Sequence, residues 1–296
     1  MMQELQGKII KGIGGFYYVK TDKGVIECRA RGKFRNDSIH PYVGDNVIIS
    51  VEQDSGYLTK ILERKNSFIR PPIANIDRLI IVSSIQDPKP DTIFIDKLII
   101  TALLNNTEVA ICFNKSDLQS DYISYKNMYE NAGIKVFITS TVNNEGIDEL
   151  RTFMKDSVNA VCGFSGVGKS SILNKLTDSD LFATGEISAK LNRGKHTTRH
   201  VELYELDNNS YLADTPGFSM LNLETLISRE ELINYYDEFK PFLDNCKFSD
   251  CSHVNASGCS LINALNDGHI SPERYENFVY LYNLLKTNKE WKKWLF

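Results

Sequence analysis

An octapeptide rich in glycine, residues 163–170, has the composition and spacing of a phosphate-binding loop. It reads G-F-S-G-V-G-K-S and fits the pattern G-x-x-x-x-G-K-[S/T]. It follows an apolar strand and precedes a predicted helix at residues 171–176, so backbone N–H groups at the helix N-terminus can surround a phosphate. We expect the Lys169 ammonium to bind the β- and γ-phosphates of a nucleotide and the Ser170 hydroxyl to bind Mg²⁺. The predicted phosphate-binding residues are Phe164, Ser165, Gly166, Val167, Gly168, Lys169, Ser170 and Ser171.

A second motif, Asn114-Lys115-Ser116-Asp117, has the pattern N-K-x-D. The Asp117 carboxylate can accept hydrogen bonds from N1–H and the exocyclic amine of guanine, whereas adenine lacks that amine and presents a lone pair at N1. We expect Asn114 to bind the other edge of the base and the Lys115 stem to lie against the ring. Thr139-Ser140-Thr141, at the end of the next predicted strand, offers a backbone N–H for guanine O6. The predicted base-binding residues are Asn114, Lys115, Ser116, Asp117, Ser140 and Thr141, and the predicted ligands are GTP and GDP.

Two further segments predict the rest of a Mg²⁺–GTP site. In Asp214-Thr215-Pro216-Gly217 the pattern D-x-x-G supplies an outer-sphere Mg²⁺ carboxylate at Asp214 and an N–H for the γ-phosphate at Gly217. The segment R-G-K-H-T-T-R-H, residues 193–200, lies between this motif and the phosphate loop. Either Thr197 or Thr198 is expected to complete the Mg²⁺ shell, and the chemistry does not choose between them.

The residue after D-x-x-G is Phe218, which has no group to orient an attacking water. Other GTPases carry a glutamine there, and the position of that water matters greatly in phosphoryl transfer. Unassisted hydrolysis is therefore expected to be slow, with the water positioned by His196 or by a group of a partner. The alternative for His196 is a loop residue that contacts RNA or solvent. The predicted catalytic residues are Lys169, His196, Thr197 and Thr198.

Four possible metal ligands lie close together in the sequence: Cys246, Cys251, His253 and Cys259. Their spacing, C-x₄-C-x-H-x₅-C, can close a tetrahedral shell around one Zn²⁺ and leaves no position open for chemistry, which indicates a structural site. Reduced thiols without a metal are the alternative. The remaining cysteines fall in predicted strands and are interpreted as small core residues: Cys28, Cys112 and Cys162.

Residues 1–70 alternate in the manner of short β-strands with glycines between them. The predicted strands are residues 8–10, 16–19, 25–28, 46–49 and 58–61. Five such strands without a helix predict a small closed barrel of the OB type, with an SH3-like barrel as the alternative. Lysines and arginines interspersed with aromatic residues on this barrel fit a nucleic-acid-binding face or an ordinary solvated surface.

The pattern after Pro71-Pro72, which we interpret as a linker, becomes strand, helix, strand, helix. Short apolar strands separated by helices such as residues 94–104 predict a parallel sheet covered on both faces. The predicted parallel strands are residues 79–83, 109–113, 136–139 and 160–162, followed by a β-pair at 201–206 and 211–213.

The chain from about residue 226 is predicted to be mostly helical, with helices at residues 229–239 and 272–285 on either side of the cysteine-rich loop. The predicted fold is thus a multidomain α+β protein. It has an OB-type barrel at 1–70, a P-loop α/β domain at 71–225 and a helical zinc-binding domain at 226–296.

Composition and charge limit the function classes. The 296 residues are 42% hydrophobic and 24% charged, as in a folded globular protein. A net charge of −4 argues against extensive coating of nucleic acid, so RNA contact must come from local basic patches. The start of the sequence does not resemble a signal peptide and no apolar run has the length of a membrane span, so we expect a cytoplasmic protein that contacts no membrane.

The order of the motifs is itself informative, because the base-binding motif precedes the phosphate loop. An ordinary P-loop GTPase has the reverse order, so this arrangement indicates a circular permutation with the new chain break just after the D-x-x-G motif. With the N-terminal barrel and the C-x₄-C-x-H-x₅-C motif, the whole chain resembles the circularly permuted GTPases that mature the small ribosomal subunit in bacteria.

The resemblance implies slow GTP hydrolysis stimulated by the small subunit, contact with 16S rRNA, and release of late assembly factors. It also implies a monomer and a hydrophobic residue at the position of Phe218. Two other functions fit the motifs alone: a GTPase of another RNA process, such as tRNA modification, and an RNA-binding zinc protein that GTP controls without hydrolysis.

Overall fold

The first five strands of the chain close into a barrel. In this computed structural model they are β1 (Gln3–Ile13), β2 (Phe16–Thr21), β3 (Gly24–Ala30), β4 (Asn46–Glu52) and β5 (Ser55–Ile61). Neighbours around the barrel follow the order β1-β2-β3-β5-β4, and all pairs are antiparallel except β3 and β5. The predicted five-stranded barrel is confirmed. The structure describes residues 3–30, 40–52, 55–118, 122–182, 201–207, 209–215, 223–285 and 287.

A six-stranded sheet forms the centre of the molecule, in the order β10-β9-β8-β11-β13-β12. Its strands are β8 (Arg78–Ser84), β9 (Glu108–Asn114), β10 (Lys135–Ile138), β11 (Val158–Cys162), β12 (Leu203–Asp207) and β13 (Ser210–Asp214). Every neighbouring pair is parallel except the antiparallel pair β12–β13. The predicted parallel sheet with a terminal β-pair is confirmed.

Helices cover both faces of this sheet. They are α1 (Thr92–Leu104), α2 (Ile123–Asn131), α3 (Ile147–Phe153) and α4 (Lys169–Thr177). Successive residues of β8 point to opposite faces, as the two-residue period of a strand requires. Leu79 and Ile81 pack with α1, α2 and the barrel, whereas Ile80 and Val82 pack with α3 and α4. The barrel and one face of the sheet therefore share a continuous apolar core.

The interpretation of Pro71-Pro72 as a linker is wrong, because both prolines lie in the turn of a short hairpin. Its strands are β6 (Ser67–Phe68) and β7 (Ile73–Ala74). Phe68 and Ile73 are buried on either side of the turn. Since turn residues donate no ladder hydrogen bond, prolines are tolerated there.

The C-terminal region is helical, but the single helix predicted at residues 229–239 is not present. Two 3₁₀ helices, Leu232–Tyr235 and Asp237–Phe242, replace it. Tyr236 separates them with φ −115° and ψ 81°, outside the helical region, and Pro241 supplies no N–H to an α-helical ladder. The last two helices are α5 (Ser260–Asn266) and α6 (Pro272–Leu284).

Aromatic residues form the core of this C-terminal region. Tyr236, Phe239 and Phe278 are fully buried and their rings contact one another at centroid distances of 4.9 to 5.6 Å. Ile100 of α1 belongs to the same apolar cluster. The C-terminal region therefore packs directly on helix α1 of the central sheet. Among the described helices, none combines the length and apolar character required to cross a membrane.

Candidate nucleotide and metal sites

The predicted nucleotide-binding motifs all follow strands at one edge of the central sheet. Asn114 ends β9, Thr139 follows β10, Gly163 follows β11 and Asp214 ends β13. These strands are parallel, so their carboxyl ends meet at the same edge, where open α/β sheets bind ligands. The fold therefore brings together motifs separated by up to 100 residues of sequence.

Asn114 directly joins the base-binding motif to the phosphate loop. Its side chain is 1% exposed, and its Nδ2 donates a hydrogen bond of 3.1 Å to the carbonyl of Val167. The Thr139 hydroxyl donates to the Asn114 Oδ1 at 3.2 Å, which fixes the orientation of the amide. Asn114 thus directly connects two predicted elements, residues 114–117 and residues 163–170.

Gly168 allows this close approach. It has φ +91° and lies just before α4, and a Cβ at this position would collide with the Asn114 amide nitrogen. Only glycine combines that backbone conformation with the missing side chain. The second glycine of the G-x-x-x-x-G-K-S pattern is therefore required by a contact within the site.

Two lysines of the motifs lie against backbone carbonyls. The Lys169 ammonium donates to the carbonyls of Gly163 at 3.0 Å and Phe164 at 3.3 Å. It therefore lies against the first two residues of the predicted phosphate loop. The Lys115 ammonium donates to the carbonyl of Asp87, in the loop between β8 and α1. Both cations lie in the two motifs that Asn114 connects, where they would attract an anionic ligand.

Ser140 holds the carboxylate predicted to read the base. Its hydroxyl, fully buried, donates to the Asp117 Oδ1 at 2.5 Å and accepts from the Asn143 N–H at 3.1 Å. The Ser140 N–H donates to the Glu145 carbonyl at 3.1 Å, so it is already used. The next backbone N–H along this turn is that of Thr141, which remains the predicted donor to guanine O6.

The sequence reasoning named Ser140 among the predicted base-binding residues but did not predict what the side chains of Thr139 and Ser140 contact. Residues 139–141 were expected to contribute only a backbone N–H. The sequence does contain an indication of these side-chain contacts. Two hydroxyl residues follow an apolar strand at the edge of the sheet where ligands bind. A hydroxyl can orient an amide or a carboxylate, as both do here.

Asp214 lies beside the strand that leads into the phosphate loop. It is paired in register with Val161 of β11, and the hydroxyl of the next residue, Thr215, donates to the Val161 carbonyl at 2.8 Å. Asp214 and the N-terminus of α4 are thus attached to adjacent strands. Ser170 and Lys169 of the predicted Mg²⁺ and catalytic set begin α4, whereas His196, Thr197, Thr198 and Gly217, like Phe218, lie outside the described residues.

Two buried thiols lie in the strands beneath the site. Burial raises the pKa of Cys112 to about 12, and burial also raises the pKa of Cys162, opposed in part by the Lys169 ammonium. Both thiols therefore stay protonated at neutral pH and act as core residues, as predicted.

The four predicted metal ligands converge at one point of the C-terminal region. Cys246, Cys251, His253 and Cys259 offer ligand atoms that all lie within 4.8 Å of one another. The Sγ atoms of Cys246 and Cys259 are 3.9 Å apart, and the His253 Nδ1 lies 3.6 and 3.5 Å from them. A tetrahedral ion with Zn–S of about 2.3 Å and Zn–N of about 2.0 Å requires separations of about 3.8 and 3.5 Å.

Neighbouring groups hold this cluster in shape. The Tyr275 hydroxyl donates to the His253 carbonyl at 3.0 Å, and the Ser260 hydroxyl lies 3.2 Å from the Cys246 Sγ. Burial lowers the pKa of His253, which favours the neutral imidazole that a metal requires. The donor set and its geometry therefore fit a closed tetrahedral metal site.

Comparisons with known proteins agree with this arrangement. The chain matches the family RsgA GTPase over residues 61–224 and the family RsgA N-terminal domain over residues 6–58. A protein named small ribosomal subunit biogenesis GTPase RsgA from Caldanaerobacter subterraneus subsp. tengcongensis is 44% identical over 295 residues, which cover 99% of this chain and 98% of that protein. A protein of the same name from Ruminiclostridium cellulolyticum is 43% identical, over 97% of this chain and 95% of that protein.

Solved structures extend the likeness to the whole fold. The crystal structure of YjeQ from Thermotoga maritima is 32% identical with a TM-score of 0.80, covering 96% of this chain and 99% of that one. The structure of YloQ, described as a circularly permuted GTPase, is 33% identical with a TM-score of 0.77, covering 98% of this chain and 96% of that one. The chain belongs to the RsgA family of circularly permuted GTPases.

Proposed function

We propose that this protein hydrolyses GTP to GDP and phosphate and acts in the biogenesis of the small ribosomal subunit. The observation that carries the proposal is the hydrogen bond from Asn114 to Val167, which unites a guanine-reading motif with a phosphate loop. The names of the full-length relatives, small ribosomal subunit biogenesis GTPase, support the choice of substrate and of partner.

In this proposal the base is bound by the ends of β9 and β10. Asp117, oriented by Ser140, accepts from N1–H and the amine of guanine, and the Thr141 N–H donates to O6. Asn114 bridges base and phosphate loop, the Lys115 stem lies against the ring, and Ser116 completes the turn.

The phosphates are bound at the N-terminus of α4. Backbone N–H groups of residues 164–171 surround them, and the Lys169 ammonium moves from the Gly163 and Phe164 carbonyls onto the β- and γ-phosphates. Ser170 and either Thr197 or Thr198 would hold Mg²⁺, with Asp214 as an outer-sphere carboxylate, and the ion would supply charge stabilisation for the transferred phosphoryl group. The Gly217 N–H contacts the γ-phosphate.

Hydrolysis by the isolated protein is proposed to be slow. Phe218 cannot orient water, so His196 or a group of the ribosomal subunit takes that role. Replacing His196 with alanine removes the imidazole; an unchanged rate, with and without subunits, would exclude His196 from the chemistry.

The C-terminal cluster is proposed to bind one structural Zn²⁺. Its four ligands leave no open position, and its interatomic distances fit the tetrahedral requirement. When bound, the ion connects the loop that carries Cys246 to the N-terminal end of α5 at Cys259. The metal therefore fixes the fold of this region and takes no part in hydrolysis.

The barrel is proposed to contact 16S rRNA. Its surface presents cations beside aromatic rings, such as the Arg29 guanidinium 4.7 Å from the centre of the Phe16 ring. We further propose that the protein is a cytoplasmic monomer whose cycle releases late assembly factors, with domains at 1–70, 71–225 and 226–296. The family matches at 6–58 and 61–224 support a division between the barrel and the central domain, at a point near residue 60.

Phosphate release from GTP, measured with and without purified small ribosomal subunits, tests the function. We expect a slow basal rate that small subunits raise severalfold and that large subunits leave unchanged. A protein that binds GTP but releases no more phosphate with small subunits would instead be a GTP-controlled binding protein.

Nucleotide-dependent binding tests the proposed cycle. The γ-phosphate and Mg²⁺ are expected to order the segment that contains His196 and the Asp214 turn. This ordering is expected to change the affinity of the protein for the small subunit. Co-sedimentation should therefore show tighter binding with a non-hydrolysable GTP analogue than with GDP. Equal binding in both states would contradict the cycle.

A further inference from the structure

The phosphate loop is supported from outside by an aromatic contact. The ring of Phe164, the second residue of the loop, lies against the ring of Phe94 in α1 with centroids 4.0 Å apart and planes inclined by 32°. The carbonyl of Phe164 is one of the two that accept from the Lys169 ammonium. The aromatic contact therefore holds a residue whose backbone faces the phosphate-binding lysine.

The loop that precedes α1 touches both halves of the nucleotide site. The Asp87 carbonyl accepts from the Lys115 ammonium, and the ring of Pro88 lies beside Gly166, 3.8 Å from the position a Cβ would occupy there. The Ser84 hydroxyl fixes this loop by donating to the Pro88 carbonyl at 2.5 Å. Residues 87–94 thus form one support under the base-binding and phosphate-binding motifs.

Helix α1 is itself held firmly, so it can serve as a fixed support. The Asp91 side chain caps it by accepting from the Phe94 N–H at 2.9 Å. Asp96 of α1 is fully buried and forms an ion pair with Arg274. Its carboxylate also accepts hydrogen bonds from Asn277 Nδ2 at 3.0 Å and from the Tyr236 hydroxyl at 3.3 Å. The C-terminal region therefore anchors the same helix that contacts the phosphate loop.

We infer that Phe94 is a positioning residue for the phosphate loop, presented by a helix that the C-terminal region holds in place. The inference rests on the proposed GTP site and adds a residue outside its motifs. The ring restricts the backbone at Phe164, so the loop keeps the shape in which its N–H groups point at the phosphates. Loss of the ring should weaken phosphate binding and leave recognition of the base intact.

The decisive variants are Phe94→Leu, which removes the stacked ring, and Phe94→Tyr, which keeps it. Phe153→Leu is the matched control, because half-buried Phe153 also contacts another ring, that of Phe137 at 5.2 Å, but near the opposite edge of the sheet. Phe164→Leu removes the same contact from the exposed side of the loop, in case the Phe94 substitution disturbs folding.

The measurement is the Kd and the binding stoichiometry for GDP, for a non-hydrolysable GTP analogue and for IDP, which lacks the exocyclic amine. We expect Phe94→Leu and Phe164→Leu to raise the Kd for every nucleotide by about three- to tenfold, the range of an aromatic pair. The stoichiometry and the GDP-to-IDP preference should stay at the parent values. Phe94→Tyr and Phe153→Leu should bind like the parent.

Three results would overturn the inference: an unchanged Kd in both leucine variants of the pair, an equal loss in Phe153→Leu, or a reduced GDP-to-IDP preference. A fall in stoichiometry without a change in Kd would also overturn it, because that marks loss of folded protein. A parent protein that binds no guanine nucleotide would instead remove the proposed function, and the inference with it. The two failures are therefore distinguishable.

Discussion

The side-chain amide of Asn114 donates to the backbone carbonyl of Val167 over 3.1 Å, although 53 positions separate the two residues in the chain. The contact explains how a permuted sequence still builds one site. The parallel strands β9 and β11 lie on either side of β8, and both end at the same edge of the sheet. The geometry of the site depends on strand order in the sheet, and not on which motif the chain reaches first.

Gly168→Ala should abolish this contact. The new Cβ would collide with the Asn114 amide, and φ +91° is unfavourable for alanine. We expect GDP binding to weaken by at least tenfold, measured as a Kd by fluorescence titration. Gly133→Ala is the control, since Gly133 has φ +75° and open space around it. Gly133→Ala introduces similar strain outside the nucleotide motifs and should bind GDP like the parent, so equal GDP affinities of the two variants would contradict the role of the Asn114 contact.

Ser140→Ala should weaken recognition of the base. It removes the hydrogen bond of 2.5 Å to the Asp117 carboxylate and leaves that carboxylate free to turn. A hydrogen bond to a charged group contributes about 1.5–3 kcal/mol, so the Kd for GDP should rise by roughly ten- to a hundredfold. The preference for GDP over IDP should fall as well.

Ser210→Ala provides the comparison for this prediction. Ser210 is also buried and also binds a backbone N–H, that of Asp156, but it begins β13 and so lies away from the site. A similar loss of GDP affinity in both serine variants would indicate a general effect on the sheet.

Much of the fold follows from local patterns in the sequence. The strands of the barrel and the central sheet have clear two-residue or apolar periodicity, and residues such as Val47, Ile49 and Leu58 are fully buried as the pattern requires. The nucleotide motifs and the four metal ligands were found from residue type and spacing alone, because the backbone geometry of such sites requires particular residues at fixed intervals.

The features that sequence reasoning missed depend on contacts between distant segments. Leu232 and Phe239 fit a helical period, yet Tyr236 leaves the helical conformation where its ring packs against Phe278. Likewise, the residues around Phe94 in the sequence do not predict that its ring contacts the ring of Phe164, 70 positions away. Tertiary packing overrides local propensity in the first case and creates the contact in the second.

Cys251→Ser should remove the bound metal and unfold part of the C-terminal region. Three ligands remain, and a structural zinc site contributes much of the stability of the segment it connects. We expect the zinc content to fall from one to near zero per chain, measured by atomic absorption, together with a lower melting temperature and faster proteolysis of the cysteine-rich loop.

Cys28→Ser is the control for the metal prediction. Burial raises the pKa of the Cys28 thiol to about 11, and this residue lies in β3 of the barrel, so it takes no part in the site. Zinc content should therefore stay at one per chain. A chain that contains no zinc when purified under reducing, chelator-free conditions would contradict the zinc assignment.

The buried pair of Asp96 and Arg274 should contribute strongly to stability, because it joins α1 to α6. Both side chains are at least 97% buried, and Asp96 also accepts from Asn277 and Tyr236. Asp96→Ala leaves the arginine without this partner, and breaking a buried pair costs about 3–5 kcal/mol. The midpoint of urea unfolding, followed by circular dichroism, should fall accordingly.

Two comparisons isolate the charge of the pair. Asp237→Ala removes an exposed ion pair with Lys240 at 2.5 Å and should cost less than about 1 kcal/mol. The double variant Asp96→Leu with Arg274→Met removes both charges and should recover part of the stability that Asp96→Ala loses, because the fully buried guanidinium is removed together with its partner, and only the less buried Glu238 carboxylate loses its ion pair. If the double variant is less stable than Asp96→Ala, the pair stabilises the protein beyond its desolvation cost, and the connection between α1 and the C-terminal region depends on the charges themselves.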